Sequence, residues 1–222
     1  MLTFFKKYRL FAIVMGCIST IIIVSFYYAL KQEDALPVYQ PDNFNPELVD
    51  ASIQHVRKYH VIKDFKLINQ NGDTITQDTY KNKIYVTDFF FTTCQTICPV
   101  MTKNMALVQK EILDDDDVML LSHSVTPEID TVAQLKRYAI EKGVNDKKWN
   151  LVTGDKKQIY DLARKSYLAV KSTGDDDYGM IHTENFILVD KEKRVRGTYD
   201  GTNEEAIQKL LKDIKILKAS YE

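Results

Sequence analysis

The most constraining feature of this chain is residues 84–91, Ile-Tyr-Val-Thr-Asp-Phe-Phe-Phe, running directly into Thr92-Thr93-Cys94-Gln95-Thr96-Ile97-Cys98-Pro99. A β-branched and aromatic run of this length fits a strand buried on both faces. Asp88 is the misfit in it, either a paired buried carboxylate or a marker of a more exposed side, and it receives no role. Beyond the cysteines, Met101, Met105, Val108, Ile112 and Leu113 recur with helical period, which predicts a helix over residues 99–113. The four acids 114–117 end it as a solvated turn, and residues 118–122 read as a second buried strand. Strand, helix and strand within about 40 residues argue for a parallel, right-handed crossover.

The remaining elements follow from turn and cap signals. Phe65, Leu67 and Ile75 flank Asn69-Gln70-Asn71-Gly72, a hairpin signature over residues 61–76. Thr131-x-x-Gln134 and Asp155-x-x-Gln158 have the pattern of capping boxes and open helices at about 132–142 and 156–166. Residues 149–152 form a short extended piece between them. Residues 184–189 and 194–199 form an antiparallel pair across the turn 190–193. Thr202-x-x-Glu205 opens a last helix whose Ile207, Leu210, Leu211, Ile214 and Leu217 make one apolar stripe. The expected fold is α/β: a thioredoxin-like order with an N-terminal hairpin extension, preceded by one transmembrane helix.

That helix is residues 10–30, which contain no charged side chain, and about 20 such residues cross a bilayer. Of 30 lysines and arginines, Lys6, Lys7 and Arg9 precede this stretch, whereas all 31 acids follow it. The positive-inside rule therefore puts the amino terminus in the cytoplasm and the soluble domain on the outer, periplasmic side. A cleaved signal peptide has a shorter apolar core and small residues at the cut; a lipoprotein site at Val14-Met15-Gly16-Cys17 is a lesser alternative, because residues 18–30 stay uncharged. Cys17 reads as a small apolar residue in lipid. Pro37, Pro41 and Pro46 among polar residues suggest an extended linker over 31–59. The expected organisation is thus residues 1–30 as cytoplasmic tip and anchor, 31–59 as linker and 60–222 as the domain. A near-zero net charge argues against nucleic acid as a partner.

With Cys17 in the membrane, Cys94 and Cys98 are the two cysteines outside it. A helix amino terminus stabilises thiolates, so both sulfurs gain as nucleophiles and as metal ligands, and Pro99 is tolerated in the first turn. Three readings stand at this point. A structural disulfide would close a loop too short to constrain the unfolded chain greatly. A redox dithiol would make the protein a thiol-disulfide oxidoreductase, although the prolines, at 37, 41, 46, 99 and 127, leave residues 150–186 without one where thioredoxins place theirs. A metal site needs a further ligand, and His182, just ahead of the strand expected beside the cysteine strand, would supply an imidazole. Soft thiolates select Cu(I), whereas structural zinc asks for four protein ligands. A peroxidase would need an activating base beside the thiol, and none is evident. His55, His60 and His123 lack ligand spacing and read as packed or solvated histidines; Asp175, Asp176 and Asp177 read as a solvated loop before His182.

The stretch Asp88-Phe-Phe-Phe-Thr-Thr-Cys94-Gln-Thr-Ile-Cys98-Pro-Val-Met101, together with Ser124-Val-Thr-Pro-Glu-x-Asp130-Thr131 and the segment from His182 to Gly201, resembles the Sco/SenC family over residue 60 to the end. Gln95 and Thr126 stand where that family commonly has Pro and Asp. The resemblance implies a thioredoxin-like copper-binding protein that helps to assemble the binuclear copper centre of cytochrome c oxidase, with Cys94, Cys98 and His182 at the ligand positions. The implied partners are the copper-bearing oxidase subunit and a thiol reductant protein.

Overall fold

A computed structural model describes residues 2–30 (side chains for 8–27), 35–170 and 183–221. It divides into two units, residues 1–35 and the rest. The first contains the helix α1 (Leu2–Leu30), within which Tyr8–Tyr27 is long and apolar enough to cross a membrane.

The second unit is built on seven strands: β1 (Lys66–Asn69), β2 (Thr74–Thr76), β3 (Ile84–Phe90), β4 (Val118–Ser124), β5 (Trp149–Thr153), β6 (Asn185–Val189) and β7 (Val195–Asp200). They form one sheet in the order β2-β1-β5-β4-β3-β6-β7. β3, β4 and β5 run parallel, while β1, β2, β6 and β7 join antiparallel at the flanks. The helices are α2 (Cys98–Glu111), α3 (Val132–Lys142), α4 (Lys156–Lys165) and α5 (Glu204–Ala219). The thioredoxin-like α/β fold with a hairpin ahead of it is therefore present. Thr131 and Asp155 cap α3 and α4 as expected, accepting from the Gln134 and Gln158 N–H groups. The last helix is capped one residue later than its sequence pattern suggests, by Asn203, because Thr202 turns its hydroxyl back to Asp200.

Side chains alternate across a strand, and β3 divides its own between two apolar layers. Ile84, Val86 and Phe90 pack with Met101, Met105 and Val108 of α2 and with the apolar stripe of α5, while Tyr85 and Phe89 pack with α4 and the chain before β1. That preceding chain corrects the expected linker. From Leu36 onward it lies on the domain: Phe44 and Val49 are buried, Tyr39 N–H donates to the Val195 carbonyl at 2.9 Å, and Arg196 donates to the carbonyls of Leu36 and Pro37. Pro41 and Pro46 open short 3-10 turns rather than an extended tether. Their fixed φ suits a first helical position as well as an extended chain. The acids 114–117 are paired in part, with Lys218 at 2.8 Å from Asp115 and Lys191 at 3.1 Å from Asp117.

Two titratable groups sit in the sheet on opposite faces. Asp88 is 2% exposed, and burial raises its pKa to about 7, opposed by the Ser122 hydroxyl. His123 is fully buried among Phe89, Tyr167 and Phe65, with Nδ1 3.1 Å from Thr87 Oγ1. Burial lowers its pKa to about 3, only partly offset by the Asp88 carbonyl. The two contributions to stability have opposite slopes. Asp88 stabilises fully below its ordinary value of 3.8 and loses that as pH rises to about 7; His123 stabilises fully above 6.5 and loses that as pH falls to about 3. Between 3.8 and 6.5 they cancel. Urea unfolding of the chain in detergent, followed by the single buried Trp149, is expected to show Asp88→Asn gaining stability with pH across this window at about 1.4 kcal/mol per pH unit, and His123→Phe losing it at a similar rate. Identical slopes in the two variants would contradict the assignment.

Candidate metal and thiol site

The site begins with the register of β3. Its seven residues pair with β4 from Ile84↔Val118 to Phe90↔Ser124, so both strands end together and the loop 91–97 leaves from the carboxyl edge of the parallel sheet. The Val125 N–H donates back to the Phe90 carbonyl at 2.9 Å, closing this edge. The loop then turns into α2, with Cys98 its first residue and Pro99 in its first turn, where a missing N–H costs nothing. Residue 97, which precedes the helix, is an isoleucine without a capping group. Cys94 caps the helix instead, its sulfur accepting the Cys98 N–H at 3.4 Å. One of the helix's orphan donors is thereby satisfied.

The two sulfurs consequently differ. Cys94 is partly exposed, and its pKa comes down to about 7: desolvation raises it, but the Cys98 thiol, the Cys98 N–H and the Thr96 backbone and hydroxyl together outweigh that. Cys98 is 3% exposed, and burial, followed by its bond to Cys94, pushes its thiol up to about 12. Both are free thiols. Cys98 faces the layer containing Thr102 and Tyr138, whose hydroxyls meet at 2.7 Å. The pair is thus a nucleophile of lowered pKa in front of a buried partner. As a donor set, two adjacent sulfurs, one of them half ionised near neutrality, suit a soft monovalent cation better than a hard one.

His182 and the acids Asp175, Asp176 and Asp177 lie outside the described residues. The chain is described again from Thr183, whose hydroxyl donates to the Ala169 carbonyl at 3.1 Å. From there it enters β6, which runs antiparallel to β3 with Thr87 opposite Ile187. The amino end of β6 is therefore at the same edge of the sheet as the thiol loop. The other histidines sit elsewhere: His55 is exposed, His60 Nε2 lies 2.8 Å from the Ser166 carbonyl with its pKa lowered chiefly by burial, and His123 is enclosed by aromatic rings. Among the described residues, no three His, Cys, Asp or Glu side chains gather as a metal set. Sequence reasoning gave Asp130 no separate role, yet its carboxylate grips the start of the thiol loop. The only signal for it was its place in the Ser124–Thr131 stretch.

A family model described as SCO1/SenC matches residues 53–218. The SCO1 protein homolog of Bacillus subtilis (strain 168) is 31% identical over 156 residues, covering 69% of this chain and 81% of that relative. Among solved structures, BsSco, described as a member of the Sco family of cytochrome c oxidase assembly proteins with a disulfide switch, matches with a TM-score of 0.61 at 32% identity, covering 71% of this chain and 93% of its own. ScoI of Bradyrhizobium japonicum with copper bound matches with a TM-score of 0.56 at 29% identity, over 71% of this chain and 99% of its own.

The unequal acidity has a direct readout. In the reduced, folded chain, iodoacetamide is expected to label Cys94 with a midpoint near pH 7 and to leave Cys98 untouched below about pH 9, as followed by mass spectrometry. Cys98→Ala should move the Cys94 midpoint upward toward that of an ordinary thiol. An unchanged midpoint would mean that the Cys98 thiol does not hold it down.

Proposed function

Because this chain belongs to the SCO1/SenC family, we propose that it is a membrane-anchored copper metallochaperone that takes part in assembling cytochrome c oxidase. Copper is its cargo, held by Cys94, Cys98 and His182, and the acceptor is the copper-bearing subunit of the oxidase. The observation that carries this reading is the thiol pair at the head of α2. One sulfur is buried and fixed, while the other is partly exposed and ionises near neutral pH. An incoming acceptor thiolate can approach from the Cys94 side and exchange for it, and a soft cation favours sulfur on both proteins. The return of the chain at Thr183, on the sheet edge that also bears the thiol loop, supports His182 as the third ligand.

The helix α1 serves as the anchor, with Lys6, Lys7 and Arg9 on the cytoplasmic side and the soluble unit on the outer, periplasmic face.

The same asymmetry favours a second activity at the same sulfurs. A thiol-disulfide oxidoreductase needs an exposed nucleophile of low pKa and a protected resolving thiol. Cys94 would attack an acceptor disulfide and Cys98 would release the mixed disulfide, leaving the acceptor as a dithiol and this chain oxidised, for a thiol reductant protein to restore.

Anaerobic titration of the reduced full chain in detergent with Cu(I), against a chromophoric chelator, is expected to saturate at one ion per chain. Cys94→Ser should abolish this binding, and His182→Ala should weaken it at least tenfold while sparing disulfide reduction. Full binding by Cys94→Ser would overturn the site, and undiminished affinity in His182→Ala would remove the imidazole from it.

A further inference from the structure

The thiol loop is held at its amino end by one carboxylate. Asp130 is fully buried. Its Oδ1 accepts the Thr92 hydroxyl at 2.5 Å, and its Oδ2 accepts the Thr92 N–H at 3.2 Å, the Ser124 hydroxyl at 2.6 Å and the Thr126 hydroxyl at 3.1 Å. Thr92 Oγ1 in turn accepts the Gln134 side-chain amide of α3 at 3.0 Å. One side chain thus binds the start of the thiol loop, the end of β4 and the turn that leads into α3.

Every bond it makes is to a neutral donor; among the described residues no cation pairs with it. Neutral donors offset the large desolvation cost of a buried carboxylate only when several converge with good geometry. A brace for the fold alone could have been apolar at less cost. The place where the network closes suggests its purpose: Thr92 is two residues before Cys94. Between Thr92 and α2 the ties at Cys94 are local, with its N–H on the Phe91 carbonyl at 3.3 Å, its sulfur 3.7 Å from the Thr96 hydroxyl and the Cys98 N–H on the same sulfur. Cys94 is therefore suspended between α2 on one side and the Asp130–Thr92 clamp on the other.

We propose that Asp130 is a positioning residue for the thiol pair: through Thr92 it fixes the Cys94 sulfur relative to Cys98, and so sets both the affinity for a soft cation and the ease of disulfide closure. The first consequence rests on the metallochaperone reading, while the second rests only on the two cysteines. In Asp130→Ala the freed loop must be ordered anew whenever the sulfurs converge, so copper binding weakens. The disulfide also becomes less stable, and the couple becomes more oxidising. In Asp130→Asn the remaining oxygen still accepts from Thr92 N–H, Ser124 and Thr126, while the amide points to the Thr92 hydroxyl.

The test uses the full chain in detergent and two measurements: Cu(I) affinity by chelator competition, and the equilibrium of the Cys94/Cys98 couple with a glutathione redox buffer. Asp130→Ala is expected to weaken Cu(I) binding at least tenfold and to shift the thiol-disulfide equilibrium about tenfold toward the dithiol, or about 30 mV for a two-electron couple. Asp130→Asn should stay within threefold of the parent in both. Asp190→Ala, which removes a buried carboxylate from the far turn between β6 and β7, where it holds Arg194 and Arg196, controls for destabilisation and should move neither. If Asp130→Ala does not fold, Thr92→Val, which deletes one arm of the clamp, should shift the couple at least threefold. Redox equilibria within threefold of the parent in the folded Asp130→Ala, or in Thr92→Val when it stands in, would overturn the proposal. An equal shift in Asp190→Ala would also overturn it. A parent chain that binds no Cu(I) would sink the metallochaperone reading alone, and the redox arm would still decide this one.

Discussion

The parallel pairing of β3 with β4 is the contact on which the rest of the molecule depends. It runs without a break over seven residues, so the two strands finish level and their loops emerge side by side at one edge of the sheet. One loop bears the thiols and the other bears Asp130. Neither loop could be placed by its own local preferences, since each is short and irregular. The pleat adds a second constraint, because it sends Val86 and Phe90 toward α2 and Tyr85 and Phe89 toward α4. The helix with Cys98 at its head is thereby pressed onto the sheet and cannot slide away from the loop that holds Cys94.

Around this frame, polar groups are placed where burial alters their chemistry. Cys98 is kept protonated by the apolar layer it enters, and its own thiol and N–H stabilise the ionised form of Cys94. Neighbouring positions in one short motif therefore acquire opposite characters. Asp88 and His123 show a related effect within the sheet, where a carboxyl and an imidazole are both driven toward their neutral forms. Loss of hydration disfavours charge whichever sign it carries. Asp130 escapes neither burial nor its cost, but it converges on four donors, and it stands where a loop must be held still.

Much of this was legible from residue order. The run 84–91 announced a strand buried on both faces, Thr131 and Asp155 announced the starts of α3 and α4, and the turn 190–193 announced the pairing of β6 with β7. The family and its thioredoxin-like fold followed from the motifs around Cys94, Asp130 and Gly201. The prolines at 37, 41 and 46 misled, because a proline signals a fixed φ and not whether the neighbouring side chains find a surface. Phe44, Val49 and Tyr39 found one on the domain, through contacts with residues more than a hundred positions away. Asp88 remained undecided for the same reason, since whether a carboxylate in a strand is buried depends on what covers that face.

The sequence by itself determined which segments are strands and helices, that a thiol pair would stand at a helix amino terminus, and that an uncharged stretch long enough to cross a bilayer precedes the α/β domain. These are local properties of period, cap and composition, written over a few turns of chain. Only the tertiary structure decided that Cys94 and not Cys98 is the acidic sulfur, that the Leu36–Val49 segment belongs to the domain, and that Asp130 grips Thr92. Each of these depends on how much water reaches an atom or on which distant group meets it, and both are fixed only when the sheet and its helices close together.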